Sequence, residues 1–323
     1  MSKRPWMSML GMSLLAVSML ASCGSAPKAV PTTSAVAPTV AATAAPTIAA
    51  ATAVATTTAP TDAPTAAVTE VASTVAATAV VTETTGTVTL VADLKGRKVL
   101  IGTEAAYPPF ESVDATTNQI VGFDVDLMGE IAKLINIQPE FQNAAFDTIF
   151  AALQKKQFDA VMSSATITEE RAKIIAFSSP YIEVGQIVVT LKSNTTITSY
   201  TDLATAAAVG VQTGTTGETA SLKEGKVPDA KLKRYQAIDL AFADLANNAI
   251  DAVVADSPTV GNYVSQPQYA DKLQVVGAPF TTENYGIAVQ QGDTELLNAI
   301  NAAIAKLKAD GVIDQLKAKH KIK

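Results

Sequence analysis

The chain has 323 residues, of which 30 are acidic and 24 are Lys or Arg, so its formal net charge is −6 at pH 7. The charges of residues 1–88 cancel, and the whole negative charge therefore falls on residues 89–323. An acidic body argues against nucleic acid and anionic lipid as partners. A single cysteine excludes a disulfide framework or a CxxC site, and a single histidine argues against a nucleophilic triad or a His-rich metal site.

The N-terminus has the pattern of a targeting signal rather than of a folded segment. Lys3 and Arg4 precede a short apolar run over 6–19, and Leu-Ala-Ser-Cys then ends at Cys23. The apolar run is too short and too early for a transmembrane span. Because the four residues resemble a bacterial lipobox, we predict a lipoprotein signal peptide over 1–23, with Cys23 lipidated. The alternative is an ordinary secretory peptide with a chance cysteine.

Residues 24–88 consist almost entirely of Ala, Thr, Val, Pro and Ser and contain no aromatic residue. They show no stable hydrophobic period, and their Thr and Pro content disfavours a helix. We therefore expect a disordered tether with a root-mean-square span of roughly 40–50 Å. Such a tether would hold the following domain away from a membrane surface.

The body of the chain alternates predicted strands with predicted helices. A short buried strand is predicted over 99–102 and another near 139–142. Helices are predicted over 123–136 and 146–156, where apolar residues recur on one face. This alternation predicts an α/β fold with parallel sheets, in which ligands bind at the carboxyl ends of the strands.

One polar cluster follows a predicted buried strand at 160–162. The strand leads into a turn that carries the hydroxyls of Ser163, Ser164 and Thr166. Thr168 can cap the following helix, whose first turn carries Arg171. A guanidinium beside hydroxyls and free backbone amides suits a carboxylate or a phosphate. The alternative is a capped helix with a solvated arginine, but the position of the cluster after a strand favours the anion site.

Two segments, 147–161 and 239–253, repeat one pattern at a constant offset. Both have Phe and Leu at equivalent helix positions, and both end in Asp-Ala-Val. Each predicts a helix, a short polar turn and a buried strand, so the chain is expected to form two lobes of like construction. After the repeat, the first segment leads to Arg171 and the second to the carboxylate of Asp256.

A third polar turn lies between the two repeats. Residues 209–212 predict a strand, and a Gly/Thr turn over 213–217 precedes a helix. Such a turn points backbone amides at an anion. No Gly-Lys-Ser/Thr follows, so the segment is not a Walker A loop. A tight turn without a ligand is the alternative.

Seven motifs follow one another over almost all of residues 95–323: IGTEAAYPPFE (101–111), GFDVDL (122–127), SSATITEERAK (163–173), FSSPY (177–181), VGVQTGTTGE (209–218), DAVVADSP (251–258) and YGIAV (285–289). In sequence and in order, these motifs resemble the family 3 extracellular solute-binding proteins, which serve ABC importers of polar amino acids.

The resemblance implies a type II periplasmic-binding-protein fold, in which two α/β lobes joined by two hinge strands close on the ligand. The solute-binding domain would span 89–323. Its first lobe would comprise about 89–187 and 286–323, and its second lobe about 190–282. The two crossings are expected near 186–191 and 281–287.

The resemblance also assigns the two charged groups of an amino-acid ligand. Arg171 would pair with the α-carboxylate, with help from Thr166 and from backbone or hydroxyl groups of Ser164 and Thr215. Asp256 would accept the α-ammonium. A guanidinium and a carboxylate on opposite lobes complement a zwitterion, which agrees with the chemistry predicted from the turns.

The ligand side chain is assigned to four further residues by the same resemblance. Tyr107 and Phe146 would bracket it, Glu104 would lie beside it, and Gln212 would line its far end. Phe146 also begins an apolar helix stripe, so a core role is the alternative for it. One carboxylate between two aromatic faces favours arginine, lysine or histidine first, glutamine second, and aspartate or glutamate last.

The predicted function is therefore an extracytoplasmic, lipid-anchored binding protein that is monomeric, uses no cofactor and delivers an amino acid to an ABC permease. One alternative is a cyclohexadienyl-dehydratase-like enzyme on the same fold, for which Glu104 is the only candidate acid or base. A second is a sensor ectodomain that acts through a partner. Because no lysozyme-like domain follows residue 323, we do not expect a lytic transglycosylase.

Overall fold

Two five-stranded sheets with helices packed on them organise residues 89–322, the part of the chain that the computed structural model describes. The predicted signal peptide, its Cys23 and the predicted tether over 24–88 lie outside the described residues. Within 89–322, no helix has both the length and the apolar character needed to cross a bilayer.

The first half of the described residues, up to residue 184, contains eight strands. They are Arg97–Thr103 (β1), Ala106–Tyr107 (β2), Glu111–Val113 (β3), Ile120–Val121 (β4), Ile137–Asn143 (β5), Ala160–Val161 (β6), Ala176–Phe177 (β7) and Ile182–Val184 (β8). The helices of this half are Phe123–Ile135 (α1), Phe146–Gln154 (α2) and Glu169–Ala172 (α3).

The second half builds the second sheet and then returns to the first. Its strands are Gln186–Leu191 (β9), Val209–Gln212 (β10), Leu232–Tyr235 (β11), Ala252–Asp256 (β12), Leu273–Val276 (β13), Glu283–Tyr285 (β14) and Ala288–Val289 (β15). Its helices are Thr216–Lys223 (α4), Ile238–Ala246 (α5), Ser257–Ser265 (α6), Pro267–Ala270 (α7), Thr294–Ala309 (α8) and Val312–Lys319 (α9), with 3₁₀ turns at Tyr200–Thr205 and Asp229–Lys231.

The two sheets have the same plan. The first has the strand order β5-β1-β6-β15-β7 and the second the order β11-β10-β12-β9-β13. The predicted parallel pairing is confirmed for β1 with β5 and β6, and for β10 with β11 and β12. However, β15 and β9 run antiparallel to both of their neighbours. These are the strands by which the chain enters each sheet from the other one, so they arrive from the opposite direction.

The chain passes between the sheets twice. It leaves the first sheet through β8 and Gly185, which we call the outgoing crossing. It comes back through residues 281–285, the return crossing. The strands of the two crossings, β8 and β14, pair antiparallel. A Cβ atom at Gly185 would lie 2.2 Å from the carbonyl oxygen of Thr281, so only glycine lets the crossings approach this closely. The outgoing crossing precedes the predicted range 186–191, which forms β9 inside the second sheet.

The predicted repeat is confirmed as α2 with β6 and α5 with β12. The turns match in detail, since Lys156 (φ 62°) and Asn248 (φ 58°) both adopt left-handed backbone at the same repeat position. The carboxylate of Asp159 accepts the N–H of Leu100 at 2.8 Å, and that of Asp251 accepts the N–H of Ala208 at 3.1 Å. Each repeat is thereby fixed to the neighbouring parallel strand of its own sheet, in β1 for the first repeat and directly before β10 for the second.

The predicted helices are confirmed within two residues at each end. Helices α1 and α8 pack on one another beside the first sheet. They bury Leu127 and Ile131 from α1 and Ile300 and Ile304 from α8, as their periodicity requires. Full burial of each such side chain stabilises the fold by about 1.5–3 kcal/mol. The framework on which the polar turns stand is therefore a well-packed one.

Candidate functional site

Strands β1, β6, β10 and β12 end at one pocket between the two sheets. All nine side chains predicted to contact the ligand line this pocket: Glu104, Tyr107, Phe146, Ser164, Thr166, Arg171, Gln212, Thr215 and Asp256. Three further residues, which have no predicted ligand contact, complete the lining: Glu111, Ser163 and Thr216.

Arg171 is positioned by the cap of α3, because the hydroxyl of Thr168 accepts the Arg171 N–H at 3.2 Å. Its guanidinium donates to the carbonyl of Thr166 at 2.7 Å and, across the pocket, to the carbonyl of Gly214 at 3.1 Å. The group also lies over the ring of Phe150, 4.6 Å from its centroid. Burial lowers the pKa of Arg171 to about 10, while nearby carboxylates oppose that shift. The side chain therefore stays charged at neutral pH.

Asp256 ends β12 on the opposite side of the pocket and is buried. Its carboxylate accepts hydrogen bonds from Gln186 Nε2 at 2.9 Å and from the hydroxyl of Tyr107. Burial raises the pKa of Asp256 to about 7, and the negative charge of Glu283 adds to the shift. The hydroxyl of Tyr107 therefore contacts Asp256 of the second lobe. Tyr107 was predicted to lie beside the ligand side chain, and this contact with Asp256 was not predicted.

Glu104 follows β1 and is buried in the pocket wall. Its carboxylate accepts from Gln212 Nε2 at 3.4 Å, so the two residues predicted at the ligand side chain are neighbours across the lobes. Burial raises the pKa of Glu104 to about 7. The group therefore changes charge near neutral pH.

Two neighbouring carboxyl groups, Glu111 and Asp124, lie buried beneath the turn after β6. Ser164, whose φ is 48°, donates its hydroxyl to Glu111 at 3.2 Å and its backbone N–H to Asp124 at 3.0 Å. The hydroxyl of Tyr181 also donates to Asp124, at 2.9 Å. Burial raises the pKa of Glu111 well above its ordinary value, and the adjacent charge of Asp124 raises it further. The pair fixes the strained Ser164 turn.

The Gly/Thr turn forms the predicted start of a helix. The hydroxyl of Thr215 caps α4 by accepting the N–H of Glu218 at 3.2 Å, and it donates to the carbonyl of Gln212 at 2.8 Å. The hydroxyl of Thr216 instead lies 3.3 Å from that of Thr166, across the pocket. Helix α4 therefore presents its N-terminus to the site, where a negative charge is favoured.

Phe146, the first residue of α2, is buried and lines the pocket. Its ring packs edge-to-face on Phe150 at 5.5 Å, and the Arg171 guanidinium lies 5.3 Å from its centroid. The ring thus has both of the surroundings that its pattern predicted, the apolar helix stripe and the pocket wall.

The three lining residues without a predicted ligand contact all lie inside motifs of the family resemblance. Glu111 ends the first motif, Ser163 begins the third, and Thr216 lies within the fifth. Their neighbours Ser164 and Thr215 were selected instead, because a motif gives the segment while the backbone decides which side chain faces the ligand. Among residues 89–322, no cluster of His, Cys, Asp and Glu has the arrangement of a metal site.

The chain is similar to known proteins over this same region. A family model described as "Bacterial extracellular solute-binding proteins, family 3" matches residues 99–322. A "Probable histidine-binding protein" of Neisseria gonorrhoeae is 38% identical over 226 residues, which are 70% of this chain and 83% of that protein. The "ABC transporter arginine-binding protein 1" of Escherichia coli (strain K12) is 35% identical over 221 residues, 68% of this chain and 88% of that protein.

Solved structures agree with this similarity. "An ancestral arginine-binding protein bound to arginine" is 41% identical and has a TM-score of 0.64, and the match covers 69% of this chain and 97% of that one. Sequence and structure therefore point to the same group of proteins.

Proposed function

Because the chain belongs to the family 3 bacterial extracellular solute-binding proteins, which bind amino acids for ABC transporters outside the cytoplasm, we propose that it captures a cationic amino acid between its two lobes and delivers it to an ABC importer. The lobes in this proposal are residues 89–187 with 286–323, and residues 190–282.

One observation carries this proposal: Arg171 and Asp256 face one pocket from opposite lobes. The guanidinium can bind an α-carboxylate through two parallel hydrogen bonds, and the carboxylate can accept an α-ammonium. Each lobe satisfies only one end of a zwitterion, so both ends are bound only when the lobes are closed. Capture and closure are thus the same event in this account.

The charge of the pocket supports a cationic ligand. Besides Glu111, whose raised pKa favours the neutral form, its lining contains two carboxyl groups, Glu104 and Asp256, and one cation, Arg171. Once Arg171 and Asp256 hold the α-groups, Glu104 remains beside the ligand side chain, where it favours an ammonium, guanidinium or imidazolium. We infer the order arginine, lysine or histidine, then glutamine, then aspartate or glutamate. The names of the similar proteins, which refer to arginine and histidine, support the first place.

A competition experiment tests this order. Tritiated L-arginine is bound to the purified protein, and each unlabelled amino acid is titrated against it. We expect histidine or lysine to displace arginine before glutamine does, and glutamate to displace it last. In Glu104→Gln, the gap between arginine and glutamine should shrink, because the side-chain carboxylate is lost. Displacement by glutamate with equal or better affinity would overturn the cationic assignment.

A dehydratase on the same fold is the second candidate function. The observation that favours it is Glu104, a buried carboxyl with its pKa raised to about 7, which suits a general acid. Incubation with prephenate or arogenate tests it. Turnover by the wild-type protein that disappears in Glu104→Gln would support an enzyme, whereas binding of arginine without turnover supports a binding protein.

We further propose that the protein is a monomer anchored to the membrane by lipid on Cys23. The support for the anchor is the lipobox-like sequence and the Ala/Thr/Pro-rich segment after it. Cys23→Ser should leave the protein soluble or unprocessed. Cell fractionation checks this, and the same membrane distribution for both forms would refute the anchor.

A further inference from the structure

A closed ring of hydrogen bonds lies behind the pocket, on the side of the two crossings. Gln186 Nε2 donates to Thr216 Oγ1 at 3.2 Å, and Thr216 Oγ1 lies 3.3 Å from Thr166 Oγ1. The Thr166 hydroxyl donates to Glu283 at 2.9 Å, and the Thr281 hydroxyl donates to the other oxygen of Glu283 at 2.8 Å. The backbone N–H of Gln186 donates to Thr281 Oγ1 at 2.8 Å and closes the ring.

The ring joins both lobes and both crossings. Thr166 belongs to the turn after β6 in the first lobe, and Thr216 begins α4 in the second. Gln186 follows the outgoing crossing, while Thr281 and Glu283 lie in the return crossing. The contact between Thr166 and Thr216 is the one point at which the ring passes from lobe to lobe through the pocket wall. Rotation of the lobes about the crossings would separate these two hydroxyls.

Glu283 sets the direction of the hydrogen bonds in the ring. A carboxylate only accepts, so the hydroxyl protons of Thr166 and Thr281 both point to it. The oxygen of Thr281 is then free to accept the backbone N–H of Gln186. The oxygen of Thr166 is free to accept the hydroxyl proton of Thr216, and the oxygen of Thr216 accepts the side-chain amide of Gln186. Every donor in the ring thus meets an acceptor. Glu283 is itself buried, 9% exposed, so it cannot exchange these partners freely for water.

We propose that Glu283 is a positioning residue that stabilises the closed arrangement of the lobes, although it does not line the pocket. It acts by holding Thr166 and Thr281 in the ring, which is complete only when Thr166 meets Thr216. The inference rests on the proposed function, since it concerns the rate at which a captured amino acid is released. Loss of the Glu283 carboxylate should favour opening and therefore speed release.

The test compares Glu283→Gln with Glu183→Gln in the full chain. Glu183 lies opposite Asn284 in the same two-stranded crossing and is exposed, so it is a matched control outside the ring. Dissociation of tritiated L-arginine is followed after a chase with unlabelled arginine. We expect about ten-fold faster dissociation in Glu283→Gln, the effect of losing one charge-assisted hydrogen bond. The association rate should stay at the wild-type value, and Glu183→Gln should match the wild type in both rates.

A second pair of variants keeps the test decisive if Glu283→Gln does not fold. Thr281→Val removes a ring hydroxyl outside the pocket at nearly constant volume, and Thr281→Ser retains it. Thr281→Val should reproduce the faster dissociation, and Thr281→Ser should restore the wild-type rate. Wild-type dissociation in both Glu283→Gln and Thr281→Val, or equal acceleration in Glu183→Gln, would overturn the inference.

Hydrogen exchange of the ligand-free protein separates this inference from the proposed function. Peptides over 163–171 and 212–220 should exchange faster in Thr281→Val than in the wild type, while peptides from β1 and β10 should not change. If wild-type protein binds no arginine, the ligand assignment fails, but the exchange comparison still decides whether the ring holds the lobes together. Unchanged exchange over both pocket peptides would count against the ring.

Discussion

Glu104 and Asp256 are carboxyl groups that change charge near neutral pH, because burial raises the pKa of each to about 7. Only the ionised carboxylates complement a cationic amino acid. A bound ammonium or guanidinium favours the ionised forms, so binding must lower both pKa values and release protons. The number of protons released on binding therefore reports on these two carboxyl groups.

Arginine should therefore bind more tightly as the pH rises from 5.5 to 8. Below pH 7, each group that must lose a proton changes the affinity by about ten-fold per pH unit. Calorimetry in buffers of different ionisation enthalpy measures the protons released, and Glu104→Gln should release fewer than the wild type. A flat affinity between pH 5.5 and pH 8 would show that neither carboxyl serves the ligand.

The same pKa shifts make the ligand-free fold less stable as the pH rises. The pKa of Glu104 rises from 4.5 and that of Asp256 from 3.8, each to about 7, so the folded protein holds protons that the unfolded chain releases. This contribution to the free energy of unfolding is complete below pH 3.8 and is lost as the pH rises to about 7.

Individual site residues were predictable where a charged side chain follows a predicted buried strand. Arg171 and Asp256 each follow a predicted buried strand, and a charged group in that place is informative. Glu111 and Glu283 were not predicted, because a glutamate in a short strand has the same local pattern whether it is buried or exposed. Their burial depends on which distant strands meet them, and one chain segment does not contain that information.

At the scale of single elements, α3 is the short helix that places Arg171 in the site. The helix has four residues, Glu169–Ala172, and such a short helix is not stable alone. Its N-cap, Thr168, holds the N–H of Arg171. The orientation of the guanidinium therefore depends on a capping hydroxyl outside the pocket lining.

Thr168→Ala should weaken arginine binding about five-fold, because loss of an N-cap costs about 1 kcal/mol. Thr168→Ser keeps the hydroxyl and should bind like the wild type. Calorimetric titration of both variants provides the measurement, with thermal unfolding as a check of the fold. Equal affinity of the alanine and serine variants would show that the cap does not position Arg171.

Long, periodic elements were predicted well, and short ones were not. The stripes of α1 and α2 gave bounds close to those observed, since each helix buries one face against a sheet. Strands β2, β3 and β4 have two or three residues each, too few to show any period. The antiparallel direction of β9 and β15 was also not predicted, since strand direction follows from the route of the chain between the sheets.

At the scale of the whole molecule, the pocket is built from two similar units that contact each other across it. Arg171 reaches the carbonyl of Gly214, Gln212 reaches Glu104, and Tyr107 reaches Asp256. The internal repeat predicted this plan because each unit places polar side chains at the carboxyl ends of equivalent strands. Opposite charges on the two units make a zwitterion the ligand that both can share.

Calorimetric titration of L-arginine into the wild type, Arg171→Lys and Asp256→Asn tests this shared binding most directly. We predict saturable one-site binding to the wild type. Arg171→Lys should lose about 2–5 kcal/mol of binding free energy, because a point charge cannot replace a bidentate guanidinium. Asp256→Asn should also bind weakly, and both variants should unfold at temperatures near that of the wild type. Wild-type affinity for arginine in either variant would contradict the account.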